Sequence, residues 1–373
     1  MTESRRPSPS QNPSAASSVA SSVTPASGSS VASTDASSTV ASAASSAGSR
    51  DAAPSGATSP SPDASAPPAR PYGIQTVDEL LEAARRHGLE IVTRPSAFEE
   101  TGLDFRVVHG EDEHGRSWIV RTPRRSEVLE SARVEAKILE LVAGRVPVAV
   151  PEWRVFSDDV IAYPRVEGTP AVTLDPERGP TWNILDPAAP NEAFLDSYAR
   201  FFAALQSIDL EEAKVHGVPV RSIDEAREQL RDAMTVSRAV LQPSEAVWSR
   251  WQRWLDADAL WPQHLALVHG DLHPGHMLLG PDGSLAGVLD WTEAQVTDPS
   301  VDLAMFFGCF GGAVLDALLE RVARAGGRTW PGLAAHAAER WAAFPALLAA
   351  WGTRNGNDAV VEHARGQLAA IAG

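Results

Sequence analysis

The apolar residues of this 373-residue chain change their period near Gly168. Before it they fall mainly in short β-type runs at 90–93, 104–109, 117–122, 153–156 and 160–163. Runs of this length, bounded by Gly, Pro and acidic turns, predict strands. The polar stretch 110–116 makes a hairpin of two of them. One helix interrupts the strands at 127–143, with Val134, Ile138, Leu141 and Val142 on one stripe. Another precedes them, opened by Thr76 and Glu79 as a capping box and closed by Gly88. After Gly168, the segments 191–209, 222–241, 244–257, 313–325, 331–351 and 358–371 read as helices, broken by a hairpin at 276–290. This order predicts an α+β fold in two lobes. The small lobe, 73–163, is an antiparallel sheet with one inserted helix. The larger lobe, 164–373, is mainly helical with one small β element.

Residues 1–72 stay outside the scheme. The first 70 are almost all Ser, Ala, Pro, Thr, Gly and Val, without an aromatic residue. Such a stretch buries too little apolar area to offset its ordering entropy, so a disordered tail is expected. Arg5 and Arg6 begin it, but no run of Leu, Ile or Phe follows, which argues against an export signal. Its four arginines balance its four acids, so the formal charge of -16 belongs to the folded part. An acidic body argues against nucleic-acid binding. Cys309, the single cysteine, excludes an internal disulfide, and its apolar surroundings suggest a buried inert thiol. No apolar stretch is long enough to span a membrane. A cytoplasmic monomer is expected.

The segment 269–276, His-Gly-Asp-Leu-His-Pro-Gly-His, is followed by a hairpin that ends at Asp290. Pro281-Asp282-Gly283 is a turn in which Pro presets one dihedral and Gly accepts a positive φ. Folding about Asp282 and Gly283 sets His276 opposite Leu289 and brings Asp290 beside it. Asp271 stands on the loop just before the first strand. Three polar groups at one end of an apolar hairpin are costly unless chemistry needs them. Transfer of a γ-phosphoryl group needs phosphate charge neutralised and an acceptor hydroxyl held in line. Asp290 suits magnesium, His276 offers an imidazole nitrogen as second ligand, and Asp271 orients or deprotonates the hydroxyl. His269 reads as a structural ligand of the loop backbone; His273 is open between acceptor contact and packing. A zinc site of His269, His273 and His276 is disfavoured, because a short loop containing Pro274 does not aim all three at one point.

The small lobe completes the set. Arg121 ends a strand and Glu135 lies on the next helix, the arrangement of a phosphate-binding cation held by a helical acid. Gly102 precedes a strand and offers a phosphate-covering turn. The stretch 161–168 reads as the link between lobes, where the Pro164 carbonyl and the Val166 amide are placed to meet a purine.

These residues resemble the aminoglycoside phosphotransferase-like kinases, of protein-kinase-like fold. His276 in place of Asn, the run Asp290-Trp-Thr-Glu-Ala294, Trp118-Ile-Val-Arg-Thr-Pro-Arg-Arg125 and Arg250-Trp-Gln-Arg-Trp-Leu255 are similar to the bacterial macrolide 2'-phosphotransferases. The resemblance covers about 76–371. It implies transfer of the γ-phosphate of GTP, with ATP as the alternative donor, to the 2'-hydroxyl of the desosamine of a macrolide antibiotic. It implies Asp271 as base, His276 and Asp290 as magnesium ligands, and Arg121 with Glu135 at the phosphates. The alternative within this fold is a kinase of an aminoglycoside or other small alcohol. An acidic lobe suits the dimethylammonium of desosamine, and Met305, Phe306, Phe307 and Phe310 offer an apolar face, although aromatic residues so spaced more often fill a core.

Overall fold

The computed structural model describes residues 72–93, 95–99, 104–175 and 179–372, all within one structural unit. The expected tail, apart from Tyr72, and Gly102 lie outside them. Helix α1, Val77–Arg86, starts where the sequence places it. Thr76 accepts from the Glu79 amide at 3.2 Å, and the Glu79 carboxylate accepts from the Thr76 amide at 3.0 Å. The pair satisfies first-turn donors that the helix itself cannot. Gly88 follows with φ +81°.

Strands β1, Phe105–Glu111, and β2, Ser117–Pro123, form the expected hairpin with Val107 opposite Arg121. Helix α2, Val128–Val142, is inserted before β3, Val155–Phe156, and β4, Ile161–Pro164. The sheet is antiparallel in the order β1-β2-β4-β3. The strand expected at 90–93 reduces to one bridge, Ile91 to Asp112. The Glu111 amide donates to Thr93 Oγ1 at 2.6 Å, so a side chain takes the place of a ladder carbonyl and pairing stops.

The larger lobe holds α3, Glu192–Ser207; α4, Leu210–Val215; α5, Ile223–Leu241; and α6, Glu245–Leu255. After the hairpin at 277–288 come α7, Ser300–Phe310; α8, Gly312–Arg324; α9, Leu333–Arg354; and α10, Asp358–Ala372. Its strands are β5, Thr169–Pro170; β6, Val172–Asp175; β7, Gly179–Trp182; β8, Ala266–Val268; β9, Met277–Leu279; β10, Leu285–Val288; and β11, Gln295–Thr297. They make three small sheets, β10-β9-β5, β11-β8 and β6-β7, where one β element was expected. Strands of two to four residues are too short to display a period of two. Helix α7 was also missed, since its apolar residues surround the axis and leave no stripe.

Ile138, Leu141 and Val142 of α2 are fully buried in the same cluster as Phe194, Phe202 and Phe306 of the larger lobe. The small lobe keeps a separate core around Leu80, Val108, Val120 and Ala162. The Arg165 amide donates to Ser117 O at 2.9 Å, extending the grip of the sheet. Residues 166–168 then lead the chain from β4 to β5. No helix among the described residues is long and apolar enough to cross a membrane.

Candidate active site

The β9–β10 hairpin pairs Met277 with Val288 and Leu278 with Gly287, with an irregularity between Leu285 and Gly287. The Leu289 amide donates to His276 O at 2.9 Å and carries the ladder one residue further. His276 therefore faces Leu289, as the turn predicts, and its Nε2 lies 3.6 Å from Asp290 Oδ2. Asp290 has φ +59°, a left-handed conformation that Asp tolerates better than most residues. Backbone strain of this kind collects at working sites.

His276 Nδ1 lies 3.0 Å from the Asp271 carbonyl. A carbonyl only accepts, so Nδ1 carries a proton, and Nε2 is the nitrogen turned toward Asp290. Neighbouring ligands of an octahedral magnesium ion stand about 3 Å apart. His276 and Asp290 fit such an ion after a shift of roughly half an ångström. Burial opposes the Asp290 charge, but the His276 ring and the Arg121 guanidinium outweigh it and lower its pKa.

Asp271 is 5% exposed and sits between this pair and a cleft. Its Oδ2 is 3.7 Å from His276 Nδ1 and 4.0 Å from His273 Nε2. Burial, followed by the charges of Asp290, Glu293 and Asp302, pushes its pKa well above the usual range. Asp271, His273 and His276 each bring one potential ligand atom within 4.8 Å of the others. His273, however, accepts the Gly275 amide at Nδ1, 3.0 Å away. Burial keeps the His273 ring neutral by lowering its pKa, so its proton stands on Nε2, on the Asp271 side. His273 thus packs beside Asp271 with its buried Nε2 lacking a hydrogen-bond partner among the described residues. His269, fully buried, donates from Nε2 to Leu289 O at 2.9 Å and accepts the Asp271 amide at Nδ1. Burial lowers its pKa to about 3. With both nitrogens committed to backbone it is structural, as expected, and the three histidines make no zinc set.

The loop is held by a residue the sequence does not advertise. Asp302, on α7, accepts the His269 and Gly270 amides at 2.9 Å each. Its only sequence signal is a lone acid in an apolar run, since the contact spans more than thirty residues. Gly270 is required here: with φ +87°, an added Cβ would stand 2.2 Å from Glu293 O.

Arg121 Nη2 meets Glu135 Oε2 at 2.9 Å, and Glu135 is 1% exposed. The guanidinium lies between Phe105 and Trp153, at 4.3 and 4.7 Å from the ring centres. Burial disfavours its charge, but Glu135 reverses the balance and raises its pKa. Thr292 Oγ1, two residues past Asp290, donates to the same Glu135 oxygen at 3.3 Å. The strand and the hairpin are thereby joined through one carboxylate. Pro164 pairs opposite Trp118, and Val166 packs over Gly287, where an added Cβ would lie 2.9 Å from Val166 Cγ1.

The cleft beside Asp271 encloses about 790 Å³, counting space open to solvent. Leu230 of α5, Val301 and Met305 of α7, and Trp341, Phe344 and Leu347 of α9 give it apolar walls. Of the four residues proposed as an apolar face, only Met305 lines it; Phe306 and Phe310 are core, and Phe307 packs against that core. Asp271 is its one carboxylate among the described residues, while Arg221 and Arg340 also line it. The acidity of the lobe therefore lies elsewhere than on this wall. Cys309 is only partly buried, although burial pushes its thiol up to about 12.

A model of the phosphotransferase enzyme family matches residues 99–336. The macrolide 2'-phosphotransferase MphH from Brachybacterium faecium is 37% identical, with a TM-score of 0.72 over 78% of this chain and 97% of that one. A type I macrolide 2'-phosphotransferase is 36% identical, with a TM-score of 0.72 over 79% and 98%. The uncharacterized protein YcbJ of Bacillus subtilis (strain 168) is 38% identical over 276 residues, 74% of this chain and 90% of the relative.

Proposed function

The chain belongs to the phosphotransferase enzyme family and moves a phosphoryl group to a hydroxyl; from that premise we propose that it phosphorylates the 2'-hydroxyl of the desosamine of macrolide antibiotics. The observation that carries the acceptor class is identity above one third with two macrolide 2'-phosphotransferases over nearly their whole length. The wide, mainly apolar cleft beside Asp271 supports it, since a macrolactone presents a broad apolar face.

In this reading the acceptor lies in the cleft with its hydroxyl at Asp271. The raised pKa of that carboxyl suits it to take a proton as the oxygen attacks. His276 and Asp290 would hold magnesium, which when bound would neutralise phosphate charge. Arg121, fixed by Glu135 and two aromatic rings, binds phosphate oxygens from the other side. The Val166 amide has no hydrogen-bond partner among the described residues, and in this reading it meets the purine edge together with the Pro164 carbonyl. GTP is the proposed donor.

The test is mass spectrometry of erythromycin incubated with the protein, magnesium and GTP or ATP, with kanamycin in parallel. One added phosphoryl group on erythromycin is expected, faster with GTP. Phosphorylation of kanamycin alone would replace this acceptor with an aminoglycoside.

A further inference from the structure

Thr297, on the cleft side of β11, is 2% exposed, yet its hydroxyl has no hydrogen-bond partner among the described residues. A buried hydroxyl without a partner is costly, and natural structures keep few of them. Thr297 and Gln295 both line the cleft, as residues two apart on a strand should, whereas Val296 between them belongs to the core. Val and Ile favour strands as well as Thr does, so backbone preference does not call for a hydroxyl here. The position also has a fixed relation to the chemistry. β11 pairs with β8 so that Gln295 faces Val268 and Thr297 faces Ala266. β8 runs directly into His269 and Asp271, which puts Thr297 two residues further along the wall than Gln295, away from Asp271. Arg340 crosses the same wall from α9, with Nε on Ser300 Oγ and Nη2 on Asp298, so its guanidinium is held in place.

We propose that the Thr297 hydroxyl hydrogen-bonds an oxygen of the acceptor, a hydroxyl or carbonyl remote from the reacting one, and so helps to determine which acceptor the cleft takes. The inference rests on reading the cleft as the acceptor site, though not on the acceptor being a macrolide. A contact remote from the reacting oxygen is made equally in ground and transition states. Its loss therefore raises KM and leaves kcat in place.

Thr297→Val keeps the shape and removes the hydroxyl. Because that hydroxyl lacks a protein partner, the variant should melt at or above the wild-type temperature. Its KM for the acceptor should rise roughly three- to tenfold, the worth of one hydrogen bond, with kcat and the KM for nucleotide unchanged. Thr297→Ser, which restores the hydroxyl, should recover the wild-type KM. An unchanged acceptor KM in Thr297→Val overturns the proposal. A lower melting temperature with kcat and both KM values disturbed assigns Thr297 a structural role instead, and also overturns it. The comparison is made on whichever acceptor the wild type phosphorylates. Failure of the macrolide reading shows in the wild type; failure of this inference shows only in the difference between variants.

Discussion

Asp302 supports the loop that carries Asp271 with one carboxylate shared between two successive amides, at a cost that depends on pH. Burial raises its pKa from 3.8 to about 6, outweighing the two amides. The unfolded chain therefore releases this proton earlier than the folded one, and the folded state binds more protons between those values. Stability from this group is full below about pH 4 and is lost as pH rises to about 6, by about 3 kcal/mol. Asp302→Asn should remove that slope. Denaturant titrations between pH 4 and 7 should show the wild type losing about 3 kcal/mol more than the variant, and parallel curves would refute the assignment. Asp271→Asn acts on chemistry instead. It should lower kcat by about 10² to 10⁴, with nucleotide affinity and fold retained, as read by turnover and by nucleotide titration. The facing of His276 and Leu289 was legible because a Pro-Asp-Gly turn fixes the register of a short hairpin. Asp302 was not, because its partners are backbone amides more than thirty residues away, which leave no spacing in the chain.

At the scale of elements, α7 and α9 approach closely at Gly308, where an added Cβ would fall 2.5 Å from the Trp341 ring. Trp341 stacks on Phe344 with ring centres 5.3 Å apart, and both line the cleft. Alanine at a helical glycine ordinarily gains about 1 kcal/mol, whereas overpacking costs about 1–3 kcal/mol. Crowding should win. Gly308→Ala is expected to be less stable by up to about 2 kcal/mol and to raise the acceptor KM. A variant more stable than the wild type, with an unchanged KM, would show that the ring yields. The sequence revealed the long helices by their stripes and caps, and the β1–β2 hairpin by its turn. It concealed α7, apolar on every side, and the small sheets of the larger lobe, whose strands depend on partners far away in the chain. Thr169 and Pro170 are a strand only because Leu279 and Leu278 lie beside them.

For the whole molecule, the two lobes in the sequence are not two separate cores. Helix α2 lies within the small lobe by chain order, but its Ile138, Leu141 and Val142 are packed into the larger one. The β1–β4 sheet has its own core with α1. Amide exchange should divide the molecule along this line. The last two turns of α2 should be protected like α3, and β1 and β2 should exchange faster as a group. Exchange of α2 together with the sheet would count against this division. If the division holds, Arg121 rides on one body and Glu135 is anchored in the other. Any rocking of the sheet pulls on their ion pair, and its return re-forms the pair. The contact that steadies Arg121 then also works as a latch, and if that arginine binds phosphate as proposed, its rate of release would set how quickly spent nucleotide leaves.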